Sequence, residues 1–70
     1  MLIGTPTEFG AALERRRREL SLTQDDVASA IGVNRRVIGE LERGKGSVRI
    51  EIALAVAQAV GLDVDLSART

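Results

Sequence analysis

Residues 23–44, TQDDVASAIGVNRRVIGELERG, hold two short amphipathic runs on either side of a glycine. Val27, Ala28 and Ile31 make one apolar face, Gly32-Val33-Asn34 interrupts it, and Ile38 and Leu41 resume it. Ala28, Gly32 and Ile38 stand four and six residues apart. Two helices crossing steeply need that spacing: a small residue where they approach, a turn, then a branched side chain to plug the crossing. The second run opens with two arginines, Arg35 and Arg36. The pattern is that of a helix-turn-helix whose second helix would enter the major groove of DNA.

Outward from this core, each helix end carries its own signal. Thr23 is placed to cap the second helix, with Gln24 first inside it and Asp25 and Asp26 favouring its positive end. Asn34 caps the third helix and Gly44 ends it. Upstream, Thr5-Pro6-Thr7-Glu8 supplies a cap, a proline at the first helical position and a capping-box glutamate. Downstream, Gly44–Arg49 (GKGSVR) reads as a basic loop and Gly61 closes a fourth helix. The spacing therefore predicts helices over about 6–20, 23–31, 34–43 and 50–60, within one domain spanning residues 1–70. Leu62-Asp63-Val64-Asp65-Leu66 alternates apolar and acidic, a strand pattern over about 63–67.

Seventy residues with 44% apolar composition but a single aromatic, Phe9, imply a core of Leu, Ile, Val and Ala, which suits close-packed helices. A chain this short leaves roughly 40% of its unfolded surface exposed, so association with a second copy is expected. It contains no cysteine and hence no disulfide, thiolate ligand or thiol nucleophile, and a reducing, cytoplasmic setting is expected. No apolar run approaches the ~20 residues of a membrane span, nor does a basic region lead an apolar stretch at the N-terminus. Net charge is zero, but its distribution is uneven. Residues 35–49 carry Arg35, Arg36, Arg43, Lys45 and Arg49 against Glu40 and Glu42, whereas the charges of 51–65 are all acidic. A basic face for DNA and an acidic tail end are compatible with that distribution.

In the fourth helix, Ile50, Ala53, Leu54, Ala57 and Val60 are expected to face the core, leaving Ile52, Val56 and Ala59 as a second apolar stripe. A helix apolar nearly all round should be buried nearly all round. A lone strand also has nothing to pair with inside one helical chain. Ile52, Val56, Ala59, Val64 and Leu66 are therefore the expected homodimer interface, the strand pairing with its copy.

These residues together resemble the Xre/Cro-like helix-turn-helix family over about residues 9–61. Leu22-Thr23-Gln24, Val27-Ala28, Gly32-Val33, Ile38, Glu42 and Gly44 match the family's pattern. The resemblance implies a mainly α, lambda-repressor-like bundle and a structural ion pair between Arg17 and Glu42. Gly44-Lys45, Val48-Arg49-Ile50 and Val60-Gly61-Leu62 through Leu66 are further similar to the HipB-type antitoxin subgroup, which adds a C-terminal strand. That subgroup binds a kinase-fold toxin and represses its own operon, so such a toxin is an implied partner. A free-standing Xre-family regulator without a toxin remains the alternative. Three positions depart from the family's habit. Arg16 stands where a leucine is usual, so its stem is expected to pack while its head reaches water. Val37 replaces a polar residue, and Gly39 costs the third helix about 1 kcal/mol relative to alanine.

The expected DNA-binding residues are Gln24, Asn34, Arg35, Arg36, Val37, Glu40, Arg43 and Lys45. Arginine bonds guanine O6 and N7 bidentately, a contact worth ~1–3 kcal/mol of discrimination. Val37 offers only apolar contact, as to a thymine methyl, and Glu40 either accepts from cytosine N4 or orients Arg36 four residues earlier. Gln24 at a positive helix end suits a phosphate, and Arg43 and Lys45 flank the helix exit. Arg15 to Arg18 spread over about 300° of helix and cannot all face one partner, so they read as structural or solvated.

Catalysis is the weak rival. His, Tyr and Trp are absent along with Cys, which removes the usual bases and imidazole ligands, and neither a metal nor a cofactor is expected. Gly39 through Lys45 imitates the start of a phosphate-binding loop, but Gly46 stands where Ser or Thr is required and a helix precedes it. A pure protein-interaction module built on the fourth helix is the other rival. The reading reached is a dimeric repressor on an inverted-repeat operator, with half-sites ~34 Å apart.

Overall fold

The computed structural model describes residues 2–69, which form four α-helices: α1 Pro6–Glu19, α2 Gln24–Ile31, α3 Arg35–Glu42 and α4 Ile50–Ala59. The architecture is the all-helical helix-turn-helix bundle that the sequence implies, with α3 packed on α1 and α2, and α4 against α2. Leu13, Val27, Ala28, Ile38, Leu41, Val56, Ala57 and Val60 make the core, with Ile38 wholly buried at the α2–α3 crossing.

Helix ends follow from local chemistry. Thr5 Oγ1 accepts from the Glu8 amide at 3.1 Å, while the Glu8 carboxylate reaches past the cap to accept from the Gly4 amide at 2.8 Å. Thr23 and Asp26 close a full capping box on α2, with bonds of 3.0 and 2.8 Å. Asn34 Oδ1 accepts from the Arg36 amide at 2.8 Å. At the other ends Gly32, Gly44 and Gly61 take the left-handed conformation that reverses the chain. Gly44 has a second constraint, because a Cβ there would sit 2.6 Å from Thr7 Cα. Gly10 marks another close approach: a Cβ on it would collide with the Leu41 carbonyl oxygen, so only glycine lets α1 meet the end of α3.

Two expectations about the C-terminal third need correction. Among the described residues no strand forms over 63–67; the segment runs as irregular chain, with Val64 49% and Leu66 94% exposed. A strand is made by a neighbouring backbone, and a single chain offers this segment none. The register of α4 also differs. Val56 is only 1% exposed and belongs to the core, so it is not available to a second subunit, whereas Ile50 and Leu54 point outward at 75% and 40% exposure. Ile52 is half-buried and Ala59 exposed. The small side chains of Ala53 and Ala57 turn the helix this way, since they admit close packing on the core beside Val56 and Val60.

Arg16 is a third departure. Its Nε donates to the Val60 carbonyl at 3.0 Å, so the guanidinium covers an orphan acceptor at the C-terminal end of α4. A leucine in its place would fill volume but leave that acceptor to water.

Candidate nucleic-acid interface

The α2–turn–α3 unit is braced from below by one ion pair. Arg17 donates to both Glu42 oxygens, Nε to Oε2 at 2.6 Å and Nη2 to Oε1 at 3.0 Å, and its Nη1 donates to the Leu22 carbonyl at 2.8 Å. Both side chains are buried. The Glu42 carboxylate holds Arg17 above the ordinary arginine pKa, against the lowering effect of burial. The bidentate geometry ties the last turn of α1 to the last turn of α3, and so fixes the angle at which α3 is presented.

Glu42 also serves the surface. Its Oε1 accepts from Gln24 Nε2 at 2.9 Å, which brings the amide at the start of α2 into the same network. Of these contacts the Arg17–Glu42 pair follows from the family resemblance, and the Gln24 link does not. An amide–carboxylate contact between residues 24 and 42 leaves no mark in helical periodicity.

Above this base an open groove of about 280 Å³ is lined by Gln24, Asn34, Arg35, Arg36, Gly39 and Arg43. Five of the eight expected DNA-binding residues thus meet around one concavity. Asn34 has its Oδ1 engaged in capping, and Arg35 and Arg36 project exposed from the first turn of α3. Val37 is half-buried beside the groove rather than in its lining.

Glu40 and Lys45 are engaged with each other. Lys45 Nζ donates to Glu40 Oε2 at 3.0 Å, and the Lys45 amide donates to the Glu40 carbonyl at 3.0 Å. Lys45, rather than Arg36, is therefore the direct partner of Glu40. That hydrogen bond holds the Glu40 carboxyl below its ordinary pKa, with more distant help from Arg36 and Arg43.

The remaining basic groups sort into two sets. Arg16, Arg17, Arg18, Lys45 and Arg49 each pair with a carboxylate. Arg35, Arg36 and Arg43 make no ion pair among the described residues. These three belong to α3 or its C-cap and line the same groove, whereas Arg15 and Arg69, also without an ion pair, lie outside its lining. Positive charge left without a partner on one helix, beside backbone N–H groups at the start of another, is an arrangement for receiving an anion. Among the described residues no helix is long and apolar enough to cross a membrane.

Comparison with known proteins agrees with this geometry. The helix-turn-helix family model matches residues 13–67. An uncharacterized HTH-type transcriptional regulator of Sinorhizobium fredii is 39% identical over 66 residues, covering 94% of this chain and 87% of the relative. Another, from Methanothermobacter thermautotrophicus, is 39% identical over 49 residues, covering 70% of this chain and 71% of its own length. In fold the chain is similar to HipB as solved in a HipB–O4 20mer complex, with TM-score 0.90 and 21% identity, over 100% of this chain and 99% of that one. It is equally similar to a chain of a HipA–HipB–O2–O3 complex, with TM-score 0.91, 21% identity and the same coverage. The chain belongs to the Xre-like helix-turn-helix family of DNA-binding transcriptional regulators.

Proposed function

We propose that the protein is a sequence-specific repressor that binds an inverted-repeat operator as a homodimer, and that it is the antitoxin of a HipA/HipB-type pair regulating its own operon. The observation that carries the DNA reading is the set of three arginines without protein partners around one groove. Arg35 and Arg36, at the entering end of α3, read base edges, and Arg36 has its backbone fixed by the Asn34 cap. Arg43 and Gln24 hold backbone phosphates and set the register of the helix in the groove. Binding excludes polymerase from the promoter.

The antitoxin reading is supported by the fold shared with HipB, one of whose structures contains HipA, and by the loop and tail residues quoted above. The dimer is supported by exposed Ile50, Leu54, Val64 and Leu66, apolar side chains that a lone chain leaves in water.

Fluorescence anisotropy on the DNA upstream of the gene, across a salt series, tests the proposal. Wild type should bind tightly and salt-dependently, random duplex far more weakly, and the Arg35→Ala/Arg36→Ala variant should lose the difference. Equal, weak binding to every duplex by both proteins would sink it. Co-purification of a kinase-fold protein encoded beside the gene would establish the antitoxin role; its absence leaves a free-standing regulator.

A further inference from the structure

Lys45 is the one lysine of the chain, against nine arginines. The two cations differ in chemistry: a guanidinium stays protonated, whereas an amine that loses a proton is a nucleophile. Lys45 stands between Gly44 and Gly46, with its side chain 53% exposed. Its place is fixed twice over. The Lys45 amide donates to the Glu40 carbonyl and Nζ donates to Glu40 Oε2, both at 3.0 Å. The carboxylate it holds has other cations in range. Arg36 stands four residues before Glu40 and Arg43 three after, and after Lys45 they are the charges that lower the Glu40 carboxyl. Among the described residues neither arginine makes an ion pair, and both line the groove. Lys45 therefore keeps Glu40 away from them.

With α3 as the helix that reads DNA, a reading on which this rests, we infer that Lys45 is an acylation site that switches the reading off. An activated acyl donor, an acyl phosphate or acyl thioester, converts the amine to an amide, and Glu40 turns to Arg36. Exposed ion pairs are weak, so the amine is released often enough to react. It loses one proton to water and attacks the acyl carbonyl through its lone pair. The carbon's bond to phosphate oxygen or thiolate sulfur breaks, and the electron pair leaves with that group. A second proton passes to solvent as the amide forms. The product carries no charge and a single N–H. A neutral N–H is about half as strong a partner for a carboxylate as a charged one, so the guanidinium one helical turn away takes over. Acylation thus removes one positive charge at the exit of α3 and cancels a second at its start.

Acetyl phosphate and acetyl-CoA, applied separately to the whole chain, supply the two kinds of donor, and peptide mass spectrometry reads acetyl at Lys45. Acetylation by one of them supports the site and names its source; acetylation by neither would overturn it. Protein with acetyllysine encoded at position 45 gives the consequence, read by anisotropy. Its affinity for the upstream duplex should fall about tenfold further than that for random duplex, the discrimination lost with one arginine–base contact. Glu40→Gln with the same acetyllysine should keep the preference of unacetylated Glu40→Gln, because no carboxylate is left to seize Arg36. Lys45→Arg should come through acetyl phosphate with its affinity unchanged by the treatment. A fall equal on both duplexes in both backgrounds would overturn the switch, by making Lys45 a plain phosphate contact. Undiminished affinity of the acetylated protein would overturn it as well. Failure of the unmodified protein to prefer the upstream duplex would instead refute the DNA reading itself.

Discussion

Glu42 is the residue on which most of the interface depends, because one carboxylate holds both Arg17 and Gln24. Glu42→Ala should cost about 3–5 kcal/mol in chemical denaturation, since it strands a buried guanidinium. The pairing of Arg17→Met with Glu42→Leu should recover much of that, as no charge is then left buried. A loss of under about 1 kcal/mol for the single variant would mean the pair behaves as a surface contact. The glycines give a second comparison. Gly32 is left-handed with nothing within 4 Å, so Gly32→Ala meets only backbone strain, about 1 kcal/mol. Gly10 has ordinary helical backbone but no room, and Gly10→Ala should cost more, about 3 kcal/mol, by pushing α1 off α3. Equal melting temperatures for the two variants would refute that ranking.

Among the helices, α2 and α3 owe their N-terminal ends to caps that are short-range in sequence, which is why Thr23 and Asn34 could be read from the chain. Asp26 reciprocates the Thr23 cap, and the hydrogen bond from the Thr23 amide holds its carboxyl below the ordinary value of 3.8. A lowered carboxylate contributes stability that is present above its unfolded pKa and lost as pH falls through the folded one. Melting temperature should therefore drop as the pH falls below the ordinary aspartate range, and Asp26→Asn should shallow that acid limb; an identical limb in the variant would exclude the box as its source. On α3 the Glu40–Lys45 pair withholds one positive charge from the groove side. Glu40→Gln should free it, raising affinity for random duplex and steepening the salt slope by about 0.9, as read by anisotropy. What was legible here was local: caps, the turn and the paired arginines. The register of α4 was not, because a helix apolar on almost every side does not say which stripe faces inward until Ala53 and Ala57 are set against the core. Gln24–Glu42 and Arg16–Val60 join residues 18 and 44 positions apart, and helical periodicity carries no trace of such contacts; Arg17–Glu42, 25 apart, was reached only through the family resemblance.

For the molecule as a whole, a core of eight buried apolar side chains among the described residues coexists with Ile50, Leu54, Val64 and Leu66 in water. A second copy should cover them, so light scattering at tens of micromolar should give the mass of a dimer. Leu54→Glu with Leu66→Asp should give a monomer of unchanged helicity whose operator affinity collapses, because two half-sites are no longer held together. A monomeric wild type would refute the dimer and leave those side chains for another partner. The C-terminal strand is an expectation of the alternation and of the subgroup resemblance, and a strand needs a neighbour that one chain cannot supply.

The unpaired arginines of α3 have a kinetic consequence as well. The chain's charges sum to zero, so a distant duplex exerts little net pull on it, but it exerts a torque. Unpaired positive charge around the α3 groove, whose lining includes none of the carboxylates at 51, 63 and 65, makes the charge distribution uneven, and a molecule so charged turns in the field of the phosphates. It would arrive already facing the groove, fewer encounters would be wasted on the wrong side, and ionic strength would act first on how fast the complex forms.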